Sequence, residues 1–364
     1  MRTSRTTKAR EPRHHQDDGG RHPIQGRHVS YLTGALLNVR RPPRDHQWLT
    51  GDSRDRAVAA CHTLPGVDYW SSRSVVLVPG GPGARWPGHR ISCRTDDGRV
   101  GAVTDPTAPL YVAADIHGHR TEFGRALVEA GLVDPSGHWC GGHARLWLLG
   151  DYVDRGPDGI GVIEDIWTLT AEAAAVGGEV RCLLGNHEVQ LLAAHHFGTT
   201  PVVGLDEPGC FRSGWARFGG CDDDLRRLTD EHIAWISALP AVAVVDDILL
   251  VHSDTVRYLE RGSDVEAVNS GMRTALQTRD VNVWLELAYQ MSGRGAFRGD
   301  DSADVEAAVS AMLDHLGGTE IVHGHSTLTK HFGIAPEDVK GPLRYAGGRV
   351  LAIDGGRIIV TRLR

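Results

Sequence analysis

The segment GDYVDRG (150–156) gives the strongest indication of the fold, together with ADIHGH (114–119) before it and GNHE (185–188) after it. Each motif follows an apolar run with the length and composition of a buried strand: LYVAA, RLWLL and EVRCLL. Because the carboxyl ends of neighbouring parallel strands meet at one edge of an open sheet, the polar residues of the three motifs are expected to lie together. Carboxylates and imidazoles collected in this way suit a pair of divalent ions.

The rest of the C-terminal two thirds alternates strand-like and helix-like patterns, which predicts an α/β fold with parallel strands and right-handed crossovers. Strands are predicted at 110–114, 145–149, 179–184, 241–246, 248–252 and 319–323, and helices at 120–131, 158–176, 186–196, 229–240, 281–291 and 302–316. The last part of the chain, 349–353 with 357–362, is expected to form a terminal hairpin around the turn sequence IDGGR.

The helix predicted at 229–240 begins with a partial capping signal. Thr229 is a good N-cap, but His232 stands where the usual partner is glutamate. The sequence therefore predicts only the first half of a capping box.

The chain divides into two parts of opposite charge. Residues 1–100 carry 17 Lys and Arg against 9 Asp and Glu, whereas the remaining 264 residues carry 22 against 37. We expect 1–105 to be a largely disordered or irregular extension that is dispensable for chemistry, with 74–78 and 99–103 as a candidate strand pair. Residues 106–364 form the expected catalytic domain, and 197–228 is a candidate lid insertion because it reads as a long loop.

Composition excludes several classes of function. An acidic body argues against nucleic acid as the main partner. No apolar stretch is long enough for a membrane helix, and no apolar core follows the basic N-terminus as in a secretory signal, so we expect neither membrane insertion nor secretion. The six cysteines are scattered without a C-x-x-C pair, which favours a reducing, cytoplasmic environment. The oligomeric state is left open.

Six side chains at strand ends are candidate metal ligands. Their mixture of oxygen and nitrogen suits Mn best, with Fe or Zn as alternatives, and suits Ca poorly. An aspartate directly after a glycine at a strand end, such as Asp151, can bridge two ions. The candidates are Asp115, His117, Asp151, Asn186, His252 and His325. His323, two residues before the last of these, is a weaker candidate that packing alone could also explain.

With these residues in order, the chain resembles the phosphoprotein phosphatase branch of the calcineurin-like metallophosphoesterases. GDYVDRG and GNHE match that branch in full. Two motifs depart from it outside the ligand positions: Ala114 stands where glycine is expected, and Ser253 and Asp254 replace two glycines after His252. The resemblance covers roughly 108–362 and implies a four-layer α/β/β/α sandwich.

The resemblance also implies a role for each motif residue. Asp115 and His117 would hold a first ion, and Asp151 would bridge to a second ion completed by Asn186, His252 and His325. His187 would be the general acid, with Asp154 as its orienting partner. Phosphate would be bound by Arg155, by Asn186, and by a second arginine, for which Arg298 in AFRG (296–299) is the nearest match.

The expected reaction is hydrolysis of a phosphate monoester by a hydroxide held between the two ions, without a covalent phosphoenzyme. The resemblance favours a phosphorylated protein as substrate. A dinucleoside polyphosphate or another small phosphate ester is the alternative, because such hydrolases share the same metal motifs. A phosphate-binding scaffold without activity is disfavoured, since all six candidate ligands are present.

Overall fold

The computed structural model describes residues 107–203, 205, 209–299 and 302–364. The predictions made for 1–105, namely the irregular extension and the strand pair, lie outside these residues. All statements below concern the described part of the chain.

Four strands form the first sheet in the order β3-β2-β1-β9. They are β1 Leu110–Ala113, β2 Arg145–Leu148, β3 Glu179–Cys182 and β9 Thr361–Arg362. The first three run parallel, with Ala113 opposite Leu148 and Leu148 opposite Cys182, so their carboxyl ends are in line. This alignment brings the three motifs of the sequence to one edge, as predicted.

Five strands form the second sheet in the order β4-β5-β6-β8-β7. They are β4 Val242–Val245, β5 Ile248–Val251, β6 Glu320–His323, β7 Leu343–Tyr345 and β8 Val350–Ala352. β4 and β5 form an antiparallel hairpin whose two turn residues, Asp246 and Asp247, both have positive φ. β5, β6 and β8 run parallel, so the residues after β5 and β6 also meet at one edge.

Ten α-helices lie between and beyond these strands among the described residues. They are α1 Arg120–Glu129, α2 Gly159–Ala175, α3 Asn186–Phe197, α4 Phe211–Arg217, α5 Asp222–Arg227, α6 Asp230–Ala238, α7 Val265–Gln277, α8 Val281–Met291, α9 Ser302–Leu316 and α10 Leu328–His331. Short 3₁₀ turns occur at Arg257–Glu260, Pro336–Asp338 and Ala346–Gly348. Among the described helices, none has both the length and the apolar composition that crossing a bilayer requires.

The two sheets pack face to face and the helices cover their outer sides. One apolar cluster combines residues of both sheets, such as Leu110 and Leu149 from the first and Leu250 and Val322 from the second. On the outside, α2 packs on β3, α7 on β4 and α9 on β6. The arrangement is the four-layer α/β/β/α sandwich that the family resemblance implies.

The predicted terminal hairpin is wrong. β8 pairs with β6 on one side and with β7 on the other, so it offers no free edge to the segment 357–362. In the first sheet, β1 pairs with β2 on one side only, which leaves its other edge for β9. β9 pairs with that edge in antiparallel orientation. The turn sequence IDGGR therefore carries the chain from one sheet to the other.

Two local predictions are also corrected. The segment 197–228, expected to be loop-like, contains α4 and α5. At Thr229 the capping box is complete, because the Thr229 N–H donates to His232 Nδ1 at 3.2 Å while the His232 N–H donates to Thr229 Oγ1 at 3.4 Å. An imidazole nitrogen can accept this hydrogen bond as a glutamate oxygen does.

Candidate metal centre

The loops that follow the parallel strands are held in an uncommon backbone conformation. Nine described residues other than glycine have positive φ, and six of them are predicted site residues. Left-handed backbone costs free energy in such residues, so its concentration at one place marks a functional site. The six are Asp115, His117, Asp151, Asp154, Arg155 and His325.

The loops carrying Gly150 and Gly185 touch through their glycines. A Cβ on Gly185 would lie 2.3 Å from the backbone nitrogen of Asp151, and one on Gly150 would lie 2.6 Å from the Cα of Gly185. No larger residue fits at either position. This close approach brings Asp151 and Asn186 into the same pocket.

Asp151 lies between two groups of candidate ligands. Its Oδ2 is 3.6 Å from His117 Nε2, and its Oδ1 is 3.3 Å from His252 Nε2. The carboxylate is 1% exposed, and the backbone N–H of His187 also donates to its Oδ1 at 3.0 Å. One carboxylate that presents each oxygen to a different imidazole has the geometry of a bridging ligand.

Asp115 and His117 lie on the first side of Asp151. Their side chains approach to 3.9 Å between Asp115 Oδ1 and His117 Nε2. His117 Nδ1 is 3.2 Å from the Val153 carbonyl, to which it donates, so the Nε2 lone pair faces the pocket. Burial lowers the pKa of His117 to about 3, which keeps the imidazole neutral and able to bind a metal.

Asn186, His252 and His325 lie on the other side. His252 Nδ1 donates to the Leu149 carbonyl at 2.8 Å, which leaves Nε2 to face the Asn186 side-chain oxygen at 2.9 Å. His325 Nε2 is 3.3 Å from the Ser292 carbonyl, so its Nδ1 carries the lone pair. Burial lowers the pKa of both imidazoles. Both rings are therefore neutral, and each can offer a nitrogen lone pair to a metal ion.

The donor set fits two divalent ions. Asp115 and Asp151 are two carboxylates in one buried pocket, and the pKa of Asp115 is raised by burial and by its acidic neighbours Asp354 and Asp151. Burial works against ionisation of Asp151 as well. Cations between these groups would remove the repulsion and use the free lone pairs, and the oxygen and nitrogen mixture suits Mn, Fe or Zn.

His187 lies beside this pocket and is oriented by Asp154. Its Nδ1 is 2.7 Å from Asp154 Oδ2, and the two side chains are almost completely buried. Burial opposes protonation of His187, but the nearby Asp151 and Asp154 outweigh it and raise the pKa of the imidazole. The protonated ring can then donate a proton from Nε2, which faces the pocket.

Arg155 lies between the predicted acid and the predicted ligands. Its Nη1 is 2.7 Å from His117 Nε2, and its Nη2 is 3.0 Å from His187 Nε2. The guanidinium is therefore placed where it can meet the oxygens of a phosphoryl group held in the same pocket.

The two arginines after α8 have different surroundings. Arg298 donates through Nε to Asp254 at 3.0 Å and through Nη1 to the His331 carbonyl at 2.6 Å. Arg294 Nη1 is 3.4 Å from the His325 carbonyl, and its charge interacts with Asp254, Asp115 and Asp151. Arg294, which the match to AFRG did not single out, therefore contacts the candidate ligand His325 and interacts electrostatically with the candidate ligands Asp115 and Asp151.

Two buried carboxylates hold the loops of the site together. Glu188 accepts from the backbone N–H groups of Gly185 at 3.0 Å, Asp151 at 2.9 Å and Tyr152 at 2.7 Å. Asp224 in α5 accepts from Asp154 at 2.8 Å and from Gly159 at 2.9 Å. Glu188 thus supports the loops after β2 and β3, whereas no local pattern in the sequence marks Asp224.

His323 lies apart from the candidate ligands. Its Nδ1 is 2.8 Å from the Gly324 carbonyl and its Nε2 is 2.7 Å from the Tyr345 hydroxyl. Both nitrogens are therefore engaged in hydrogen bonds, which favours the packed role over direct coordination.

Parts of this chain are similar in sequence to known proteins. It is 34% identical over 98 residues to Shewanella-like protein phosphatase 2 of Arabidopsis thaliana, covering 27% of this chain and 25% of that protein. It is 32% identical over 171 residues to the symmetrical bis(5'-nucleosyl)-tetraphosphatase of Aromatoleum aromaticum, covering 44% of this chain and 52% of that protein. The chain thus spans about half or less of the length of these two relatives.

A similar fold occurs in the cold-active protein-tyrosine phosphatase of a psychrophilic Shewanella species, with a TM-score of 0.51. The identity is 21%, and the likeness covers 68% of this chain and 71% of that structure. The model of the calcineurin-like phosphoesterase family matches residues 108–334, which is more than half of the chain. The chain therefore belongs to the calcineurin-like phosphoesterase family.

Proposed function

We propose that this protein is a metal-dependent phosphoesterase that hydrolyses phosphate monoesters, with a phosphorylated protein as its substrate. The observation that carries the proposal is the position of Asp151, which presents one oxygen to His117 and the other to His252. A pocket built in this way, with an arginine and a buried histidine beside it, suits displacement at phosphorus.

Asp115, His117 and Asp151 would hold one ion, and Asp151, Asn186, His252 and His325 the other. When bound, the two ions, with Mn as our first choice, would lower the pKa of water and offset the charge of the phosphate. The side chains around the ions would bind the substrate. Arg155 would bind the phosphoryl oxygens, and Asn186 would add a neutral contact.

The proposed reaction is a single displacement. The oxygen of water bonds to phosphorus while the ester P–O bond breaks, and the electron pair of that bond leaves with the departing oxygen. His187 gives the proton at Nε2 to this oxygen, and Asp154 holds the ring in the required orientation through Nδ1. The attacking water releases one proton to solvent and keeps the other on the phosphate, and His187 is reprotonated from solvent, so that the products are the alcohol and hydrogen phosphate.

Arg294 is the second arginine that we propose for phosphate binding. Burial lowers the pKa of its guanidinium, and the carboxylates Asp254, Asp115 and Asp151 oppose this shift. An arginine placed near carboxylates that metal ions would neutralise is available to a bound phosphate. The role predicted for Arg298 remains a prediction, since its guanidinium is bonded to Asp254.

The second candidate function is hydrolysis of a dinucleoside polyphosphate. It is favoured by the match to the tetraphosphatase of Aromatoleum aromaticum, which extends over more of both chains than the match to the plant phosphatase. The two functions use the same metal pocket and differ in the group that leaves.

One assay distinguishes the two. The full chain, with Mn²⁺ added, is given phosphoserine and phosphotyrosine peptides, diadenosine tetraphosphate and p-nitrophenyl phosphate at equal concentrations, and kcat/KM is compared. We expect a phosphopeptide to have the highest value. A higher value for diadenosine tetraphosphate would establish the second function instead, and no hydrolysis of any substrate would refute both.

A further inference from the structure

The Asp154 carboxylate is held from three directions. His187 Nδ1 donates to its Oδ2, the indole Nε1–H of Trp215 lies 2.9 Å from both of its oxygens, and the backbone N–H of Cys221 is 3.3 Å from Oδ1. Asp154 is completely buried. An ionised carboxylate has only acceptor sites, so each of these donors restricts its rotation.

The donors other than His187 come from the segment 209–227. Trp215 is in α4 and Cys221 directly precedes α5, while Asp224 of α5 accepts the backbone N–H of Asp154. This segment therefore fixes both the side chain and the backbone of Asp154. It lies within 197–228, the segment that the sequence predicts as a candidate lid insertion.

Trp215 itself is firmly placed. It is 2% exposed, and a Cβ added to Gly220 would lie 2.2 Å from the indole ring. The glycine backbone thus lies directly against the ring. A buried indole that lies against the Gly220 backbone delivers its N–H to one point, which is the Asp154 carboxylate.

We propose that Trp215 is a positioning residue for the general acid: its indole N–H fixes Asp154, and Asp154 fixes the ring of His187. The proposal rests on the proposed function, in which His187 protonates the leaving oxygen. A proton donor that is displaced by a fraction of an ångström transfers its proton less efficiently, although substrate binding is unchanged. The segment 209–227 then contributes to catalysis by positioning the general acid and not by covering the site.

The test compares two substrates in four variants of the full chain. Trp215→Phe keeps a ring but removes the N–H donor. A poor leaving group, the serine alkoxide of a phosphoserine peptide, needs the acid, whereas p-nitrophenolate does not. We expect kcat on the phosphopeptide to fall on the order of tenfold, kcat on p-nitrophenyl phosphate to fall less than about threefold, and KM to stay unchanged on both.

The matched control is Trp284→Phe. Trp284 is also completely buried, and its indole donates a hydrogen bond of 2.9 Å, but to the carbonyl of Thr278, the residue that directly follows α7. It should leave the ratio of the two kcat values unchanged. The decisive comparison is Trp215→Phe combined with His187→Asn, which should show the same ratio as His187→Asn alone, because no acid is left to position.

The proposal would be overturned if Trp215→Phe lowered kcat equally on both substrates. It would also be overturned if the fall in kcat caused by Trp215→Phe added to the fall caused by His187→Asn. If Trp215→Phe does not fold, replacing Trp215 by benzothienylalanine removes only the N–H and preserves the shape, and the same criteria apply. If His187→Asn alone shows no dependence on the leaving group, the acid assignment of the proposed function fails, and the proposal for Trp215 fails with it. The two failures are therefore distinguishable.

Discussion

The Nε of Arg298 donates to Oδ2 of Asp254 at 3.0 Å. Asp254 is completely buried and also accepts from the backbone N–H of Gly295 at 2.9 Å and from the hydroxyl of Ser326 at 2.5 Å. The pair therefore ties the loop after α8 to the loops that follow β5 and β6. Because Asp254 replaces a glycine of the family pattern, this connection accompanies one of the two departures in the sequence.

The first prediction separates the two arginines of that loop. Arg294→Ala should lower kcat/KM for p-nitrophenyl phosphate about 10- to 100-fold, as expected for one lost charged hydrogen bond, with little change in Tm. Arg298→Ala should instead lower the free energy of unfolding by about 2–4 kcal/mol, because it leaves the Asp254 charge buried without its partner. Steady-state kinetics and thermal unfolding of both variants provide the check. A stable but inactive Arg298→Ala would restore the original assignment.

The second prediction concerns His187. His187→Asn should retain metal, because His187 is outside the proposed ligand set, yet turn over a phosphoserine peptide on the order of 10²–10⁴-fold more slowly. The loss on p-nitrophenyl phosphate should be much smaller. Metal analysis and kcat on both substrates give the answer. Equal losses on the two substrates would show that His187 is not the acid.

The third prediction is a stability effect that depends on pH. Asp246 accepts two hydrogen bonds from the buried Arg145, at 2.9 and 2.5 Å, and these join the β4–β5 turn of one sheet to β2 of the other. Asp246→Asn should lower the free energy of unfolding by about 2–4 kcal/mol at pH 7. Asparagine tolerates the positive φ of this turn, so the substitution removes the charge and one of the two acceptor oxygens without straining the backbone. Asp222→Asn, in an exposed pair with Arg212, is the control and should have little effect.

The hydrogen bonds from Arg145 lower the pKa of Asp246, so the carboxylate contributes its stability above the unfolded pKa of about 4 and loses it as the pH falls below that value. The difference in the free energy of unfolding between the native protein and Asp246→Asn should be constant between pH 7 and pH 5 and should shrink below about pH 4. Denaturant unfolding at several pH values measures it. A difference that persists undiminished at pH 3 would contradict the assignment.

The periodicity of the sequence predicts most strands and helices of the α/β fold, because burial and periodicity are local properties, whereas the four-layer sandwich is implied by the family resemblance. The positions of Asp115, Asp151 and Asn186 follow from the same rule, since parallel strands bring their carboxyl ends together. The pairing of β9 with β1 does not follow, because it depends on which edge is free once both sheets exist. Neither does the contact of Trp215 with Asp154, which joins residues 61 apart in sequence. Such contacts have no local signature.

The roles of the two arginines after α8 could not be predicted from the sequence either. Arg294 and Arg298 are four residues apart, and a motif match alone favours Arg298. The neighbours that separate them, His325 for one and Asp254 for the other, come from different strand ends. Only the folded chain places these neighbours.

We expect hydrolysis to depend on divalent ions held around Asp151. Metal content and p-nitrophenyl phosphate hydrolysis are determined on the same sample of the full chain, before and after chelation and after addition of Mn²⁺ or Ca²⁺. We predict two divalent ions per chain, loss of activity with their removal, and better recovery with Mn²⁺ than with Ca²⁺. In Asp151→Asn, both metal and activity should be lost. Full activity in a chelated, metal-free sample would contradict the account.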